Sequence, residues 1–167
     1  WTVPVKIAKE DLLPRFRSSP AEMVAKGFRV LQAGADVDPL GVDWQAVRGS
    51  GFPYVLRQSP GPGNALGRIR LSMPNDQDIY MHDTPDRHLM QREVRAYSSG
   101  CIRLERALDL TRYLMGPMAK WTPEAIDAAI ATGQTSAEWL SRPVPVALVY
   151  ATAWTDESGV LYFREDS

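Results

Sequence analysis

The sequence predicts a mainly β domain of the α+β class, in which short antiparallel strands are accompanied by helices at the edge. Several segments rich in β-forming residues are separated by turns of Gly, Pro, Asn and Asp. Other segments carry apolar residues at helical spacing, with capping residues at their ends. Strands and helices do not alternate regularly, which argues against the βαβ pattern of a parallel sheet.

The N-terminal part is predicted to begin with an extended segment, because apolar and polar residues alternate over residues 1–8. Residues 19–22, Ser-Pro-Ala-Glu, form a capping-box pattern with proline at the first helical position, and they predict a helix that continues to Lys26. Residues 28–31 predict a short strand. A turn-rich stretch follows, in which Trp44 is expected to anchor the local core.

The middle part is predicted to form a β-hairpin followed by two helices. Residues 65–72 and 78–82 show strand-like alternation, and Pro, Asn and Asp lie between them. Apolar residues recur at helical spacing over residues 104–115, and a Gly-Pro pair ends that helix. Thr122 is the expected N-cap of the next helix.

The C-terminal part carries the clearest hairpin pattern in the chain. Residues 144–154 are rich in β-forming side chains, residues 156–159 supply an Asp-Glu-Ser-Gly turn, and residues 160–163 are again β-forming. We therefore expect two paired strands at this end of the domain.

Composition argues against several classes of function. With 167 residues and a net charge of −1, the chain has the length of about one domain and no basic footprint for nucleic acid or an anionic membrane. No apolar run approaches the ~20 residues that span a bilayer. The sequence opens on Trp1 without a signal-peptide pattern, so we expect a processed or trimmed piece of a longer protein.

Cys101 is the one cysteine in the sequence, and it follows a small, polar turn at residues 98–100. Free cysteines prefer apolar interiors, so this position indicates a reactive thiol rather than a packing residue. His82, on a predicted strand, is the expected imidazole base, whereas His88 lies in a polar stretch and is expected to be solvated. The alternative interpretations are an inert buried thiol and a histidine whose hydrogen bonds are satisfied within the strand.

Several other groups are candidates for supporting roles. A third group usually orients the imidazole, and Asp83, Ser98 and backbone carbonyls all remain open for that task. Backbone N–H groups near Gly100 could stabilise an oxyanion, since that turn is expected to enter a helix. Arg103 could hold a substrate carboxylate, or it forms a salt bridge instead. No cluster of His, Cys and acidic residues has metal-ligand spacing, so we expect no zinc site.

Residues 79–85, Ile-Tyr-Met-His-Asp-Thr-Pro, and residues 95–103, Arg-Ala-Tyr-Ser-Ser-Gly-Cys-Ile-Arg, closely resemble the signature of the L,D-transpeptidases with the YkuD-type catalytic domain. Ser99 stands where the commoner form of that signature has a histidine, as in the large periplasmic branch of the family. The likeness covers nearly the whole chain. Further matches to that branch lie at residues 1–4, 42–44, 58–61, 64–67, 74–75 and 143–146.

The resemblance implies a β-sandwich with edge helices and a small inserted cap. The catalytic domain would comprise residues 1–11 and 59–167, and the capping subdomain would comprise residues 12–58. The family's catalytic domain has further strands before this point, so either a second chain completes the sandwich or the fragment is incomplete. The implied location is the periplasm or cell envelope.

Carried over residue by residue, the resemblance makes Cys101 the nucleophile and His82 the proton donor and acceptor, with backbone amides at Gly100 in the oxyanion hole. Such enzymes attack the amide between diaminopimelate and the terminal D-alanine of a peptidoglycan tetrapeptide stem. They hold the stem as a thioester and pass it to the side-chain amine of a second diaminopimelate. No metal or organic cofactor is implied, and carbapenems are the expected inhibitors. The substrate site would be lined by Tyr80, Asp83, Ser98, Ser99 and Arg103.

Two other classes of function remain open at this point. A cysteine amidase or peptidase would use the same Cys–His pair with water as the acceptor, and it would yield a shortened peptide without a cross-linked product. A non-catalytic wall-binding module would need neither side chain, so it would keep its function after Cys101→Ala.

Overall fold

The computed structural model describes residues 1–98 and 100–165, and over these residues it confirms a mixed α+β fold with small sheets and short helices. The helices are α1 (Val5–Ile7), which continues through a π-helical segment (Ala8–Leu12) into α2 (Leu13–Ser18), then α3 (Pro20–Ala25), α4 (Ala107–Met115) and α5 (Pro123–Ala131), with a 3₁₀ turn at Arg87–Gln91. The strands are β1 (Phe28–Gln32), β2 (Ala35–Val37), β3 (Val55–Gln58), β4 (Arg70–Ser72), β5 (Tyr80–His82), β6 (Ile102–Arg103), β7 (Ala153–Thr155) and β8 (Leu161–Phe163).

The first sheet has the order β2-β1-β3, and both pairings are antiparallel. The chain start adds to it, because Thr2 bridges to Arg57 and the Val3 N–H donates to the Leu56 carbonyl at 2.9 Å. The predicted extended segment over residues 1–8 is therefore wrong beyond its first residues.

A continuous helical stretch from α1 to α2 replaces the rest of that extended segment. Its buried side chains, Ala8, Leu12, Leu13 and Phe16, recur at helical spacing and face the first sheet's core. Val5, which the alternation had assigned to a strand face, is 59% exposed. The alternation over residues 1–8 is thus also compatible with the first turn of an amphipathic helix. The apolar residues at helical spacing over residues 8–16 favour the helix.

Aromatic stacking holds the core of this N-terminal region together. The Phe16 and Trp44 rings stack with their centroids 4.4 Å apart, and Phe16 meets Phe28 edge to face at 6.2 Å. The Trp44 indole N–H donates to the Pro39 carbonyl at 2.7 Å. The Arg17 guanidinium donates to the carbonyls of Trp44 and Val47, which ties the turn-rich stretch to α2. Trp44 is therefore the anchor that the sequence predicted.

Helix α3 begins at Pro20 as predicted, yet the predicted capping box does not form. The Ser19 side chain makes no capping hydrogen bond, and the Glu22 carboxylate pairs with Lys26 one turn later at 2.5 Å. The proline at the first helical position, which sets the helical φ without needing an N–H partner, accounts for the start of the helix.

The second sheet has the order β4-β5-β6; His82 is the last residue of β5, and Cys101 immediately precedes β6. Strands β4 and β5 form the predicted antiparallel hairpin, with Arg70 opposite His82, although both strands are shorter than the sequence indicated. The Asn75 side chain organises the turn, since its amide donates to the Ile79 carbonyl at 2.6 Å and its oxygen accepts from the Ile79 N–H. Strand β6, which pairs with β5 in parallel, was not predicted.

The two predicted helices after this sheet are confirmed. Helix α4 starts three residues later than the apolar pattern suggested and ends before Gly116. The Thr122 hydroxyl accepts from the Ala125 N–H at 3.2 Å and so caps α5, as predicted. The Arg112 guanidinium contacts both oxygens of Asp127 at 2.7 Å and joins the two helices.

The C-terminal hairpin is much shorter than predicted. Strand β7 pairs with β8 around a turn in which the Asp156 carboxylate accepts from Ser158, Val160 and Tyr162. These bonds, above all those from the Ser158 and Tyr162 side chains, lower the pKa of Asp156 to about 2. Residues 144–152 lie outside the strands, so the long first strand was wrong. Their β-forming side chains are mostly exposed, and β propensity needs a neighbouring strand or a packed face to take effect.

Within the described ranges, 1–98 and 100–165, no helix is long and apolar enough to cross a bilayer.

Replacing Trp44 tests the packing of the N-terminal core. Trp44 is 4% exposed, so Trp44→Ala should lower the free energy of unfolding by about 3–5 kcal/mol, because the stacked ring leaves a cavity against Phe16. The matched control is Trp139→Ala: Trp139 is 89% exposed and its loss should change stability by less than about 0.5 kcal/mol. Urea unfolding of both variants measures this. An unchanged unfolding curve for Trp44→Ala, together with lost substrate binding, would instead make Trp44 a substrate contact.

Candidate active site

Parallel pairing of β5 with β6 puts Cys101 and His82 on the same face of the second sheet. The register puts His82 opposite Arg103, and continuing it by two residues puts Cys101 beside Tyr80. Side chains of aligned residues in a parallel pair project to the same face, and residues two apart share a face. The four side chains therefore project from one face of the sheet. The Tyr80 and His82 rings, whose centroids are 5.9 Å apart, show the shared face that the sequence predicted.

Cys101 is half-buried, immediately before β6. The expectation that its turn enters a helix is wrong, because the strand comes first and α4 begins only at Ala107. A helix N-terminus therefore does not contribute to the reactivity of this thiol. Its Sγ donates instead to the Asp78 carbonyl, with an Sγ–O distance of 3.9 Å.

The Tyr80 hydroxyl is the polar neighbour of the thiol. Burial raises the pKa of Tyr80, and the nearby Cys101 raises it further, so the phenol stays protonated at neutral pH. The Trp1 indole N–H donates to the Tyr80 oxygen at 3.1 Å, and the Arg70 guanidinium lies 5.2 Å from the ring centroid. No sequence motif pointed to the Trp1 contact, because it joins residues that are far apart in the chain.

His82 is buried, and its orientation is fixed by a backbone group. Its Nδ1 is 2.5 Å from the Asp83 carbonyl oxygen. Because a carbonyl oxygen only accepts hydrogen bonds, Nδ1 carries the proton and the neutral ring keeps a lone pair on Nε2. Of the three candidates that the sequence left open for orienting the imidazole, the structure therefore favours a backbone carbonyl, that of Asp83.

Burial lowers the pKa of His82 below the ordinary value, and the positive charge of Arg103 lowers it further. The hydrogen bond to the Asp83 carbonyl and the Asp83 charge oppose this shift without cancelling it. The imidazole is thus neutral near pH 7, with Nε2 able to accept a proton.

The Asp83 carboxylate is itself buried, at 5% side-chain exposure, and it accepts from protein donors. Its Oδ2 is 3.0 Å from the Arg68 backbone nitrogen, and its Oδ1 is 3.0 Å from Arg87 Nη2. The substrate-binding role assigned to Asp83 from the sequence stays a prediction.

The turn before Cys101 is braced by Ser98. The Ser98 hydroxyl donates to the Cys101 carbonyl at 2.6 Å and accepts from the Gly100 N–H at 3.4 Å. Gly100 has a φ of 130°, a conformation that favours glycine over other residues. The oxyanion role of Gly100 and the substrate role of Ser98 stay predictions. Ser99, also predicted to line the substrate site, lies outside the described residues.

Two hollows lie in this part of the structure, and Cys101 lines one of them. The first is a cavity of about 260 Å³ lined by Leu89, Met90, Arg95, Tyr97, Ser98, Cys101, Ile102 and Arg103. The second, of about 200 Å³, is lined by Arg70, Ser72, Met73, Pro74, Asn75, Asp78, Ile79 and Tyr80. Asp78, whose carbonyl accepts the hydrogen bond from Sγ, is among the residues that line the second hollow.

Arg103 carries unused hydrogen-bonding capacity beside the first cavity. Its Nη2 donates to the Tyr97 carbonyl at 3.3 Å, whereas its buried Nε and Nη1 have no partner among the residues described. His88 is exposed in the 3₁₀ turn, as predicted. Outside the masked positions, no group of three His, Cys, Asp or Glu side chains is arranged as metal ligands would be.

Comparison with known proteins gives two matches. Residues 1–146 match the family model described as the L,D-transpeptidase catalytic domain. The chain is also similar to a Haemophilus influenzae protein named "Putative L,D-transpeptidase", with 35% identity over 162 residues. That alignment covers 96% of this chain and 32% of the relative, so the chain spans about a third of the length of the curated relative that it matches.

The lowered pKa of His82 predicts a pH-dependent stability. Unfolding returns His82 to an ordinary pKa of about 6.5, so its contribution to stability is present above that pH and is lost as pH falls through the lower folded value. In urea titrations from pH 7 to 5, His82→Gln should lose less stability than wild type. The exposed His88 provides the control, because His88→Gln should keep the wild-type slope. Equal slopes in wild type and His82→Gln would contradict the assignment.

Proposed function

Because the chain belongs to the family of L,D-transpeptidase catalytic domains, we propose that it cross-links peptidoglycan stem peptides through a thioester on Cys101. Membership in this family supports a role in peptidoglycan chemistry. The observation that carries the finer proposal is the β5–β6 pairing, which places the lone thiol on the same sheet face as a buried histidine with a fixed tautomer. A thiol and an oriented neutral imidazole are the two groups that acyl transfer requires.

The first half-reaction forms the thioester. His82 Nε2 accepts the proton of Cys101, and the thiolate attacks the amide carbonyl between diaminopimelate and the terminal D-alanine. Backbone N–H groups at Gly100 and Cys101 would stabilise the tetrahedral oxyanion. The protonated imidazole then donates its proton to the leaving nitrogen as the C–N bond breaks, so D-alanine departs as an amine.

The second half-reaction reverses these roles. The side-chain amine of a second diaminopimelate attacks the thioester carbonyl and loses a proton to His82 Nε2. The C–S bond breaks, and the thiolate takes the proton back from the imidazolium. A new amide joins the two stems, and the enzyme is restored with no change in oxidation state.

The unpartnered nitrogens of Arg103 support binding of an anionic substrate group. A buried guanidinium N–H without an acceptor is unfavourable, and a carboxylate of diaminopimelate in the adjacent cavity would supply that acceptor. The other residues proposed to line the site are Tyr80, Asp83, Ser98 and Ser99.

The two hollows, one lined by Cys101 and the other by its hydrogen-bond partner Asp78, support transfer rather than hydrolysis. A transpeptidase must hold an acyl donor and an amine acceptor on two sides of one sulfur atom, whereas a hydrolase needs only the donor. Arg70 and Asp78 are among the residues that line the second hollow, and their opposite charges suit an acceptor that carries both a carboxylate and an amine.

The proposal includes the predicted sandwich and cap, with the catalytic domain in residues 1–11 and 59–167 and the cap in residues 12–58. The buried apolar cluster, whose members fall within residues 3–56, packs residues 1–11 against the proposed cap and includes neither Cys101 nor His82. The periplasm or cell envelope is the proposed location, because peptidoglycan stems are found there. A second chain that completes the sandwich stays a prediction.

Intact-protein mass spectrometry after incubation with a tetrapeptide stem tests the mechanism. Wild type should gain the mass of the stem less D-alanine, and Cys101→Ala should gain nothing. His82→Ala should acylate about 10²–10⁴-fold more slowly, because a positioned base contributes that much. A rate within about tenfold of wild type for His82→Ala would identify another base. A shortened peptide without cross-linked product, once the amine acceptor is added, would indicate the amidase alternative.

Carbapenem acylation gives an independent test of the nucleophile. A thiol that opens the stem amide should also open a strained β-lactam ring, so we expect one covalent adduct per chain, on Cys101. The adduct should form more slowly in His82→Ala, whose thiol lacks its base. Circular dichroism shows that each sample is folded. An adduct on a serine, or none in a folded sample, would contradict the assignment of Cys101.

A further inference from the structure

Arg87 joins the two segments that carry the reactive side chains without belonging to either strand. Its Nη2 donates to Asp83 Oδ1 at 3.0 Å, and its Nη1 donates to the Glu105 carbonyl at 3.2 Å. Asp83 directly follows His82, and Glu105 lies four residues after Cys101. One guanidinium therefore bridges the ends of β5 and β6, which pair over only two residues in each strand.

The Asp83 side chain that Arg87 contacts is held firmly on its other face. Its Oδ2 accepts from the Arg68 N–H at 3.0 Å, and a Cβ on Gly67 would come within 2.6 Å of its atoms. Glycine is therefore required at position 67, both because φ is 61° and because any side chain there would collide with Asp83. Fixing the Asp83 side chain also restricts its backbone, which includes the carbonyl oxygen that accepts from His82.

We propose that Arg87 is a positioning residue: by holding the Asp83 carboxylate and the Glu105 carbonyl together, it fixes the Asp83 carbonyl that selects the His82 tautomer. Arg87 touches neither the thiol nor the imidazole. The proposal rests on Cys101 and His82 as the reacting pair of the proposed function, and it is independent of which substrate they act on.

A simple surface ion pair is the alternative explanation for Arg87. The Arg87 side chain is 52% exposed, and exposed pairs contribute little to stability. The Asp83 carboxylate, however, is buried, and Arg87 at 3.0 Å is the closer of its two cationic partners, since Arg68 Nε lies at 3.8 Å. Removing the closer partner of a buried charge disturbs its surroundings. The two explanations differ in what moves: a stability role alters melting alone, whereas a positioning role alters the imidazole itself.

The tautomer of His82 gives the deciding measurement, because it can be read without substrate. The sequence contains two histidines, so ¹⁵N–¹H correlation spectra of the imidazole rings show two patterns, and His88→Gln assigns them. In wild type, His82 should be neutral with its proton on Nδ1. In Arg87→Gln, the released carbonyl should let His82 populate both tautomers.

The reactivity of Cys101 toward iodoacetamide gives a second readout. The rate should fall by about 10- to 100-fold in Arg87→Gln, since a misplacement of ~1 Å can reduce a rate ~10²-fold. Arg87→Lys keeps the charge beside Asp83 but lacks the planar fork that also reaches Glu105. Its alkylation rate should therefore lie between those of wild type and Arg87→Gln. If Arg87→Gln does not fold, Arg87→Lys takes its place as the test variant. Arg92→Gln is the matched control, because it removes the same charge from the neighbouring exposed loop.

A lower melting temperature with the wild-type tautomer and alkylation rate, in Arg87→Gln or in Arg87→Lys, would overturn the proposal. Failure of the proposed function is a separate result: it would appear as the absence of a thioester in wild type, whereas the dependence of the His82 tautomer on Arg87 would remain.

Discussion

Two residue pairs, Met81 with Ile102 and His82 with Arg103, join β5 to β6 in parallel, and the geometry of the candidate site follows from that register. A shift of one residue would turn every side chain of one strand to the opposite face and separate the thiol from the imidazole. The hydrogen bond from the Leu104 N–H to the His82 carbonyl, at 2.8 Å, extends the pairing by one step. So short a pairing has little intrinsic stability. The hydrogen bonds of the Asp83 and Arg87 side chains add to it at the strand ends.

The site combines two opposing electrostatic requirements. Burial keeps the imidazole neutral, which a base requires, but the same low-polarity surroundings penalise the charged carboxylate beside it. The structure resolves this by giving the Asp83 carboxylate a backbone N–H and a guanidinium, while its carbonyl serves His82. Asp83 thus orients the imidazole through its backbone carbonyl, while other residues donate hydrogen bonds to its carboxylate.

Residue chemistry and local signals predicted much of this arrangement from sequence. The position of Cys101 in a polar turn, the alternation that puts Tyr80 with His82, and the Thr122 cap all depend on neighbours within a few residues. Strand β6 was missed because two residues show no periodicity. The strand at residues 144–152 was wrongly predicted because β propensity takes effect only where the side chains pack on a sheet, and these side chains are mostly exposed. The Asp83 carbonyl and Arg87 gave no signal, since backbone acceptors and bridging cations are defined by the folded chain.

The loop between β5 and β6 contains both Arg87, which joins the two strand ends, and most of the residues that line the cavity beside Cys101. Arg87 lies near its start, whereas Arg95 and Tyr97, which line the cavity beside Cys101, lie near its end. The residues between, 92–94, are exposed and lie outside helices and strands. Doubling the length of a loop adds only about 0.6 kcal/mol of closure entropy. Insertions and deletions at 92–94 should therefore alter the shape of the cavity at little cost in strand pairing, so the cavity can change while the register of β5 and β6 is kept.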